Sequence, residues 1–215
     1  MGERNDYISD AVIRRLPRYY RYLGELLQNG VTRISSGELS EKMGLTASQV
    51  RQDFNHFGGF GQQGYGYNVE SLYAEVARIL GIDQPHNVII IGAGHIGAAL
   101  ANYPNFEKRG FHVIGIFDND PALIGTEIAG HVIHADEELP VFIRDKAIDI
   151  AVLAIPKVQA LKMAELLCDY GIKGIWNFAS TDLEIVNSDV IVENVHLTDS
   201  IMRLSYKLRN KQERE

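Results

Sequence analysis

Val88-Ile89-Ile90-Ile91-Gly92-Ala93-Gly94-His95-Ile96-Gly97 decides the fold of the C-terminal half of this chain. Four branched apolar residues run straight into G-x-G-x-x-G, and Ala98-Ala99-Leu100-Ala101 continues the stretch with small, helix-friendly side chains. That order is strand, glycine turn, helix. A turn this sharp requires Gly92 for its backbone angles. Gly94 removes a side chain where a pyrophosphate would approach, and Gly97 lets the helix sit close on the strand. The N–H groups opening the helix favour an anion.

The residues that follow supply context. Phe111 to Phe117 reads as a second apolar strand, ending at Asp118. A carboxylate at that distance from the fingerprint is placed to accept both ribose hydroxyls of an adenosine. It would repel a 2′-phosphate, and Phe117, Asn119 and Asp120 offer no compensating cation, so the pattern predicts NAD(H) over NADP(H). Asp149 to Ile155 is a fully apolar strand of the kind covered on both faces, and it ends at Pro156. Val158 to Tyr170 reads as a helix. Gly174 to Phe178 and Val190 to Asn194 read as further strands, and Leu197 to about Lys211 as a last helix. Ile155, Pro156, Asn177 and Phe178 fall at strand ends, where a nicotinamide should lie, and Tyr103 is a further candidate. Core packing explains each of these positions equally well.

The chain has 215 residues, 46% of them hydrophobic, and a formal net charge of −7. No apolar run approaches the ~20 residues of a membrane span, and the charged first residues do not lead into a signal-peptide core. A cytoplasmic protein is expected. Cys168, the only cysteine, excludes an internal disulfide and is expected to be a small buried residue. Residues 1–80 hold nine Lys/Arg and nine Asp/Glu, whereas 81–215 hold twelve and nineteen. Halves with such different balances suggest two domains with different partners.

In the first half, Ser9 to Leu27 reads as a helix broken near Leu16 by Pro17. Arg14, Arg18 and Arg21 share one face with Arg15 beside them, and Tyr19, Leu23, Leu26 and Leu27 form the opposite stripe. Ser35-Ser36-Gly37-Glu38 is a capping box opening a helix that Gly44 ends, and Thr46-Ala47-Ser48-Gln49 opens another running to about His56. Two short helices around a glycine turn match a helix-turn-helix. Val50, Phe54 and Phe57 are expected inside. Ser48, Gln49, Arg51, Gln52 and Asn55 then point outward, with side chains able to read base edges in a major groove. Gly58 to Tyr67 reads as a tight hairpin or wing, with Phe60, Gly61, Gln62, Gln63 and Tyr65 presented to the same partner. Tyr73 to Leu80 closes the domain.

These segments together resemble the redox-sensing transcriptional repressor Rex family. The resemblance rests on Arg15-Leu16-Pro17-Arg18-Tyr19-Tyr20-Arg21-Tyr22, Gln49 to Phe54, Phe57 to Tyr67, Gly92 to Gly97 and Gly174 to Phe178. It covers nearly the whole chain, and the wing is its most specific part. Gln52, Gln62 and Gln63 stand where the family often carries basic residues. The fold expected is α/β: a winged helix-turn-helix domain over residues 1–80, a linker at 81–86, a Rossmann domain over 87–195 and a C-terminal helix and tail at 196–215. The resemblance implies that this last helix is exchanged between the subunits of a homodimer. It also implies NADH and NAD⁺ as regulatory ligands, a palindromic double-stranded DNA operator, and release of that operator by NADH.

The competing reading is a small NAD-dependent dehydrogenase with an N-terminal interaction domain. Such an enzyme needs a proton donor beside the nicotinamide. His95 lies in the phosphate turn, His112, His131 and His134 flank strands, and no Tyr-x-x-x-Lys pair occurs. A winged helix used for protein contacts alone is a third reading, marked by absence of salt-sensitive DNA binding.

Overall fold

Proline and glycine punctuation sets the first elements. The computed structural model describes residues 8–55, 61–62, 66–185 and 189–212, and the chain divides into two compact units, Met1–Gln84 and Pro85–Glu215. In the first unit, α1 (Asp10–Ile13) stops before Arg15, and α2 (Leu16–Gln28) restarts with Pro17 in its first turn, where a missing N–H costs nothing. A two-residue strand β1 (Arg33–Ile34) follows. The capping box at Ser35 and Glu38 then forms in full and opens α3 (Ser36–Met43), which Gly44 ends at φ +66°. Helix α4 (Ala47–Asn55) carries Val50 and Phe54 inward.

The hairpin pairs β2 (Gly61–Gln62) with β3 (Gly66–Asn68), and β3 also pairs with β1. Phe57, Phe60, Gln63 and Tyr65 lie outside the described residues, so the inward position expected for Phe57 is not among them. Helix α5 (Val69–Ile79) begins four residues before the expected Tyr73, because the Asn68 side chain caps the Ser71 N–H at 2.8 Å. Leu16, Tyr19, Leu23, Leu39, Val50, Phe54, Leu72 and Val76 form one buried cluster. Tyr73 stacks on Tyr20 at 4.4 Å and donates to its hydroxyl.

The second unit is a seven-stranded sheet. Its elements are β4 (His86–Ile91), α6 (His95–Ala101), β5 (Phe111–Asp118), β6 (Glu127–Ile128), β7 (His131–Ala135), α7 (Leu139–Lys146), β8 (Ile150–Leu153), α8 (Lys157–Asp169), β9 (Gly174–Asn177), β10 (Ile191–Asn194) and α9 (Leu197–Gln212). The strand order is β10-β9-β8-β4-β5-β7-β6, parallel except for the edge strand β6. His86 already pairs with Phe111. Ile89 and Ile91 pack on one face with Ala151, Leu153, Ala160 and Ala164, while Val88 and Ile90 pack on the other with Val113, Ile116 and Val152. Both faces are thus apolar, as the unbroken branched run requires.

Cys168 is half-buried, less enclosed than expected. Every large apolar side chain along α9 is exposed in the single chain, from Leu197 at 61% to Leu208 at 57%. No helix among the described residues is long and apolar enough to cross a membrane.

Candidate functional site

The strand order reverses at β4. The chain moves from β4 to β5 and β7, then returns to β8 on the other side of β4. Open α/β sheets bind ligands at such a switch point, outside the carboxyl ends of the strands. A cleft of about 540 Å³ opens there, lined by Gly92, Gly94, His95, Ile96, Asp118, Asn119, Asp120, Leu123, Asp136, Ala154, Ile155, Pro156 and Gln159.

Each fingerprint glycine has a separate physical reason. Gly92 has φ +98°, and a Cβ there would lie 2.5 Å from the Ala154 carbonyl oxygen. A Cβ on Gly97 would collide with the Gly92 carbonyl oxygen and press on Ile90. A Cβ on Gly94 would meet nothing within 4 Å. Gly94 therefore keeps space open over the turn, and Gly97 keeps the helix close to it. Asp118 fastens the turn from the next strand: one carboxylate oxygen accepts the Ala93 N–H at 2.7 Å and the other the Asp120 N–H at 2.9 Å.

Of the residues expected at the cofactor, Gly92, Gly94, His95, Ile96, Asp118, Ile155 and Pro156 line this cleft, while Ala93 and Gly97 are buried beneath it. The other three expected residues are not in the lining of the cleft. Asn177 is wholly buried, with its amide donating to Thr181 O and Asn194 Oδ1 and its own oxygen accepting from Ala179 N–H. Its polar atoms tie β9 to the following loop and are not offered to the cleft. Phe178 packs edge to face on Trp176 at 4.6 Å. Tyr103 lies beyond the far end of α6, against Phe106. Asp136 and Gln159 were not singled out from the sequence. The signal for Asp136 was an acid directly after the strand that neighbours β5.

A second hollow, of about 380 Å³, is almost wholly apolar and is lined by Val88, Phe106, Phe111, Ile150, Trp176 and Ile191 among others. Its strand residues include the amino-terminal halves of β4, β8, β9 and β10, away from the glycine turn.

In the N-terminal unit, Ser48, Gln49, Arg51, Gln52 and Asn55 form an exposed row along α4. Two of them are already engaged. Arg51 donates to Ser36 Oγ at 3.0 Å. Gln49 Oε1 accepts from the Thr46 N–H at 3.0 Å while Thr46 Oγ1 accepts from the Gln49 N–H, so the second capping box forms and only the Gln49 amide nitrogen is left to reach outward. Arg14 and Arg18 are exposed, and Arg14 makes a surface pair with Asp10. Arg15, expected with these two to meet DNA phosphates or the domain interface, is half-buried and paired. Its Nε and a terminal nitrogen donate to the two oxygens of Asp53 at 2.8 and 2.6 Å, and Tyr19 donates to the same carboxylate at 3.0 Å. Asp53 holds the Arg15 guanidinium firmly protonated, and burial together with Asp53 pushes the Tyr19 phenol upward. Gly61 and Gln62 lie on the outer wing strand β2.

Comparison with known proteins fits both units. A family model described as "Putative DNA-binding protein N-terminus" matches residues 7–55, and one described as "CoA binding domain" matches residues 83–181. The redox-sensing transcriptional repressor Rex of Thermoanaerobacter pseudethanolicus is 57% identical over 205 residues, covering 95% of this chain and 91% of the relative. The chain belongs to the Rex family. Rex of Clostridioides difficile is 53% identical over 209 residues, covering 97% of this chain and 98% of that one. Among solved structures, RSP in complex with beta-NADH matches with a TM-score of 0.88 at 54% identity, over 96% of each chain. RSP in complex with beta-NAD+ and operator DNA matches with a TM-score of 0.89 at 57% identity, over 95% of this chain and 94% of that one. The alignment of a Rex repressor over nearly the full length takes in the helix-turn-helix, the hairpin, the glycine turn and α9 together.

Proposed function

We propose that this chain is a DNA-binding repressor that senses the balance of NADH and NAD⁺, holding a palindromic operator as a homodimer when NADH is low and releasing it when NADH accumulates. The dinucleotide is a regulatory ligand and not a co-substrate. The observation that carries this reading is one fold, at 54–57% identity, solved with NADH in one case and with NAD⁺ plus operator DNA in another.

The residues of the cleft suit the ligand. The space over Gly94 admits a pyrophosphate, Asp118 takes the adenosine ribose, and Ile155 and Pro156 meet the nicotinamide. His95 and Ile96 contribute N–H groups at the start of α6. NAD⁺ and NADH share their phosphates and riboses, so discrimination falls to the nicotinamide, a cation when oxidised and neutral when reduced. An apolar lining disfavours burying the cation. A ligand shifts a two-state protein only as far as it binds the two states differently.

On the DNA side, Arg51, Ser48, Gln52 and Asn55 read base edges from α4, Arg14 and Arg18 meet phosphates, and the wing from Phe60 through Gly61, Gln62, Gln63 and Tyr65 lies along the adjoining groove. Domains at 1–80, 87–195 and 196–215, with the linker expected at 81–86 ending where His86 opens β4, and a cytoplasmic location complete the reading. The exposed stripe Leu197, Ile201, Leu204 and Leu208 repeats at helical spacing and is the dimer seam, exchanged with a second copy. NADH then changes the spacing of the two winged helices and the half-sites are lost. Retention of a duplex operator, measured with NAD⁺, with NADH and with neither, tests this. Identical binding in all three conditions would reject it.

A further inference from the structure

Arg51 is exposed on α4, yet its guanidinium is already held: Nη1 donates to Ser36 Oγ at 3.0 Å. Ser36 is half-buried and is the first residue of α3, so the contact crosses from one helix of the helix-turn-helix to the other.

Ser36 is itself fixed from several sides. In the capping box the Ser35 side chain accepts the Glu38 N–H at 3.1 Å, and the Glu38 carboxylate accepts the Ser35 N–H at 2.8 Å. One residue earlier, Ile34 on β1 pairs with Tyr67 on the wing strand β3. Tyr67 packs edge to face on Phe54 of α4 at 5.2 Å. Burial pushes the Tyr67 phenol up and the Arg51 charge works against that shift, so the cation sits near this ring. Strands β1 and β3, the start of α3 and the inner face of α4 thus meet at one corner, and Ser36 Oγ is the atom there that holds the outward arginine.

The identity of the partner decides what the arginine can still do. Arg15 gives its whole Nε and Nη2 edge to the two oxygens of Asp53. A serine offers one neutral oxygen and takes Nη1 alone, so the same edge of Arg51 keeps its two parallel donors and its full charge. Those two donors match O6 and N7 of guanine in a major groove. Ordering a long side chain only at the moment of binding costs roughly three- to tenfold in affinity, and a side chain ordered beforehand avoids most of that loss.

We propose that Ser36 is a positioning residue: by accepting from Arg51 it aims the Nε and Nη2 edge at a guanine, and so sets sequence discrimination rather than overall affinity for DNA. This rests on α4 being the base-reading helix of the proposed function.

The test uses the full-length protein and two duplexes, one selected by the wild-type protein from a random-sequence pool and one with the same bases scrambled. Dissociation constants are measured at one salt concentration for wild type, Ser36→Ala, Ser36→Thr, Arg51→Ala and the variant carrying both alanines. Ser36→Ala should lower the preference for the selected duplex by about three- to tenfold. Its binding to the scrambled duplex should stay unchanged, which also shows that the variant is folded. Ser36→Thr keeps the hydroxyl and should keep the preference. In the Arg51→Ala background the Ser36 substitution should change nothing further, because the two side chains act as one unit. An unchanged preference in Ser36→Ala, an equal loss on both duplexes, or a further loss in the double variant would overturn the role of Ser36 while leaving α4 as the reading helix. Failure of the wild type to select any duplex would overturn both.

Discussion

Arg15, just before α2, and Asp53, on the inner face of α4, form a two-pronged ion pair at 2.6 and 2.8 Å, with Asp53 only 2% exposed. The pair fixes the helix that bears the outward row against the helix that precedes the helix-turn-helix. Arg15 therefore acts on α4 from inside, whereas Arg51 lies on its exposed row, which the proposed function turns to DNA. Arg15→Ala would strand a buried carboxylate and should cost about 3 kcal/mol of stability in the N-terminal unit. Arg51→Ala should leave stability within about 0.5 kcal/mol and cost about 1–3 kcal/mol of operator binding. Urea unfolding alongside operator titration separates the two. Unchanged sequence discrimination in Arg51→Ala would remove Arg51 from the base-reading row.

Two glycines of one motif should fail in different ways. Gly97→Ala places a methyl group against the Gly92 carbonyl oxygen, so the second unit should lose stability by about 1–3 kcal/mol, as overpacked sites do. Gly94→Ala has free space around its Cβ and should fold normally, yet its methyl group occupies the path of the pyrophosphate and should weaken NADH by tenfold or more, on the order of 1.4 kcal/mol. Thermal unfolding and NADH calorimetry on both variants check this. Normal NADH affinity in a folded Gly94→Ala would move the phosphates elsewhere.

Asp136 makes stability depend on pH in a stated direction. Its carboxyl is pushed up to about 6 from an ordinary 3.8, so between those values the folded chain holds more protons than the unfolded one. Stability from this group is therefore greatest at low pH and falls as pH rises through about 4 to 6. Asp136→Asn should raise the melting temperature at pH 7.5, with the gain shrinking toward pH 4. A gain that grows on acidification would contradict the assigned burial.

The apolar stripe of α9 predicts assembly. Truncation after Thr198 removes Ile201, Leu204 and Leu208, all exposed in the single chain, and should yield monomers that do not hold a two-half-site operator. A truncated protein that stays dimeric in light scattering would place the seam elsewhere.

The local rules legible in the sequence were the ones the fold obeys. Glycine and proline positions, two capping boxes and the unbroken run before Gly92 located most elements and the switch point of the sheet. What escaped was set by pairing across distance. Strand β1 is two residues long and exists because β3 lies beside it. Nothing in its own helix singles out Asp53, and Arg15 and Tyr19, far off in sequence, make it a core residue. Asn177 was placed correctly at a strand end, but three internal hydrogen bonds consume it. Asp136 was invisible because its meaning lies in β7 standing next to β5.

On the proposed function, NADH and the operator oppose one another through this chain. Operator binding by the protein, titrated with NADH at fixed NAD⁺, measures that coupling directly. NADH should release the DNA, and raising NAD⁺ should shift the release to higher NADH. Stronger operator binding with NADH, or no change at saturating NADH, would contradict it.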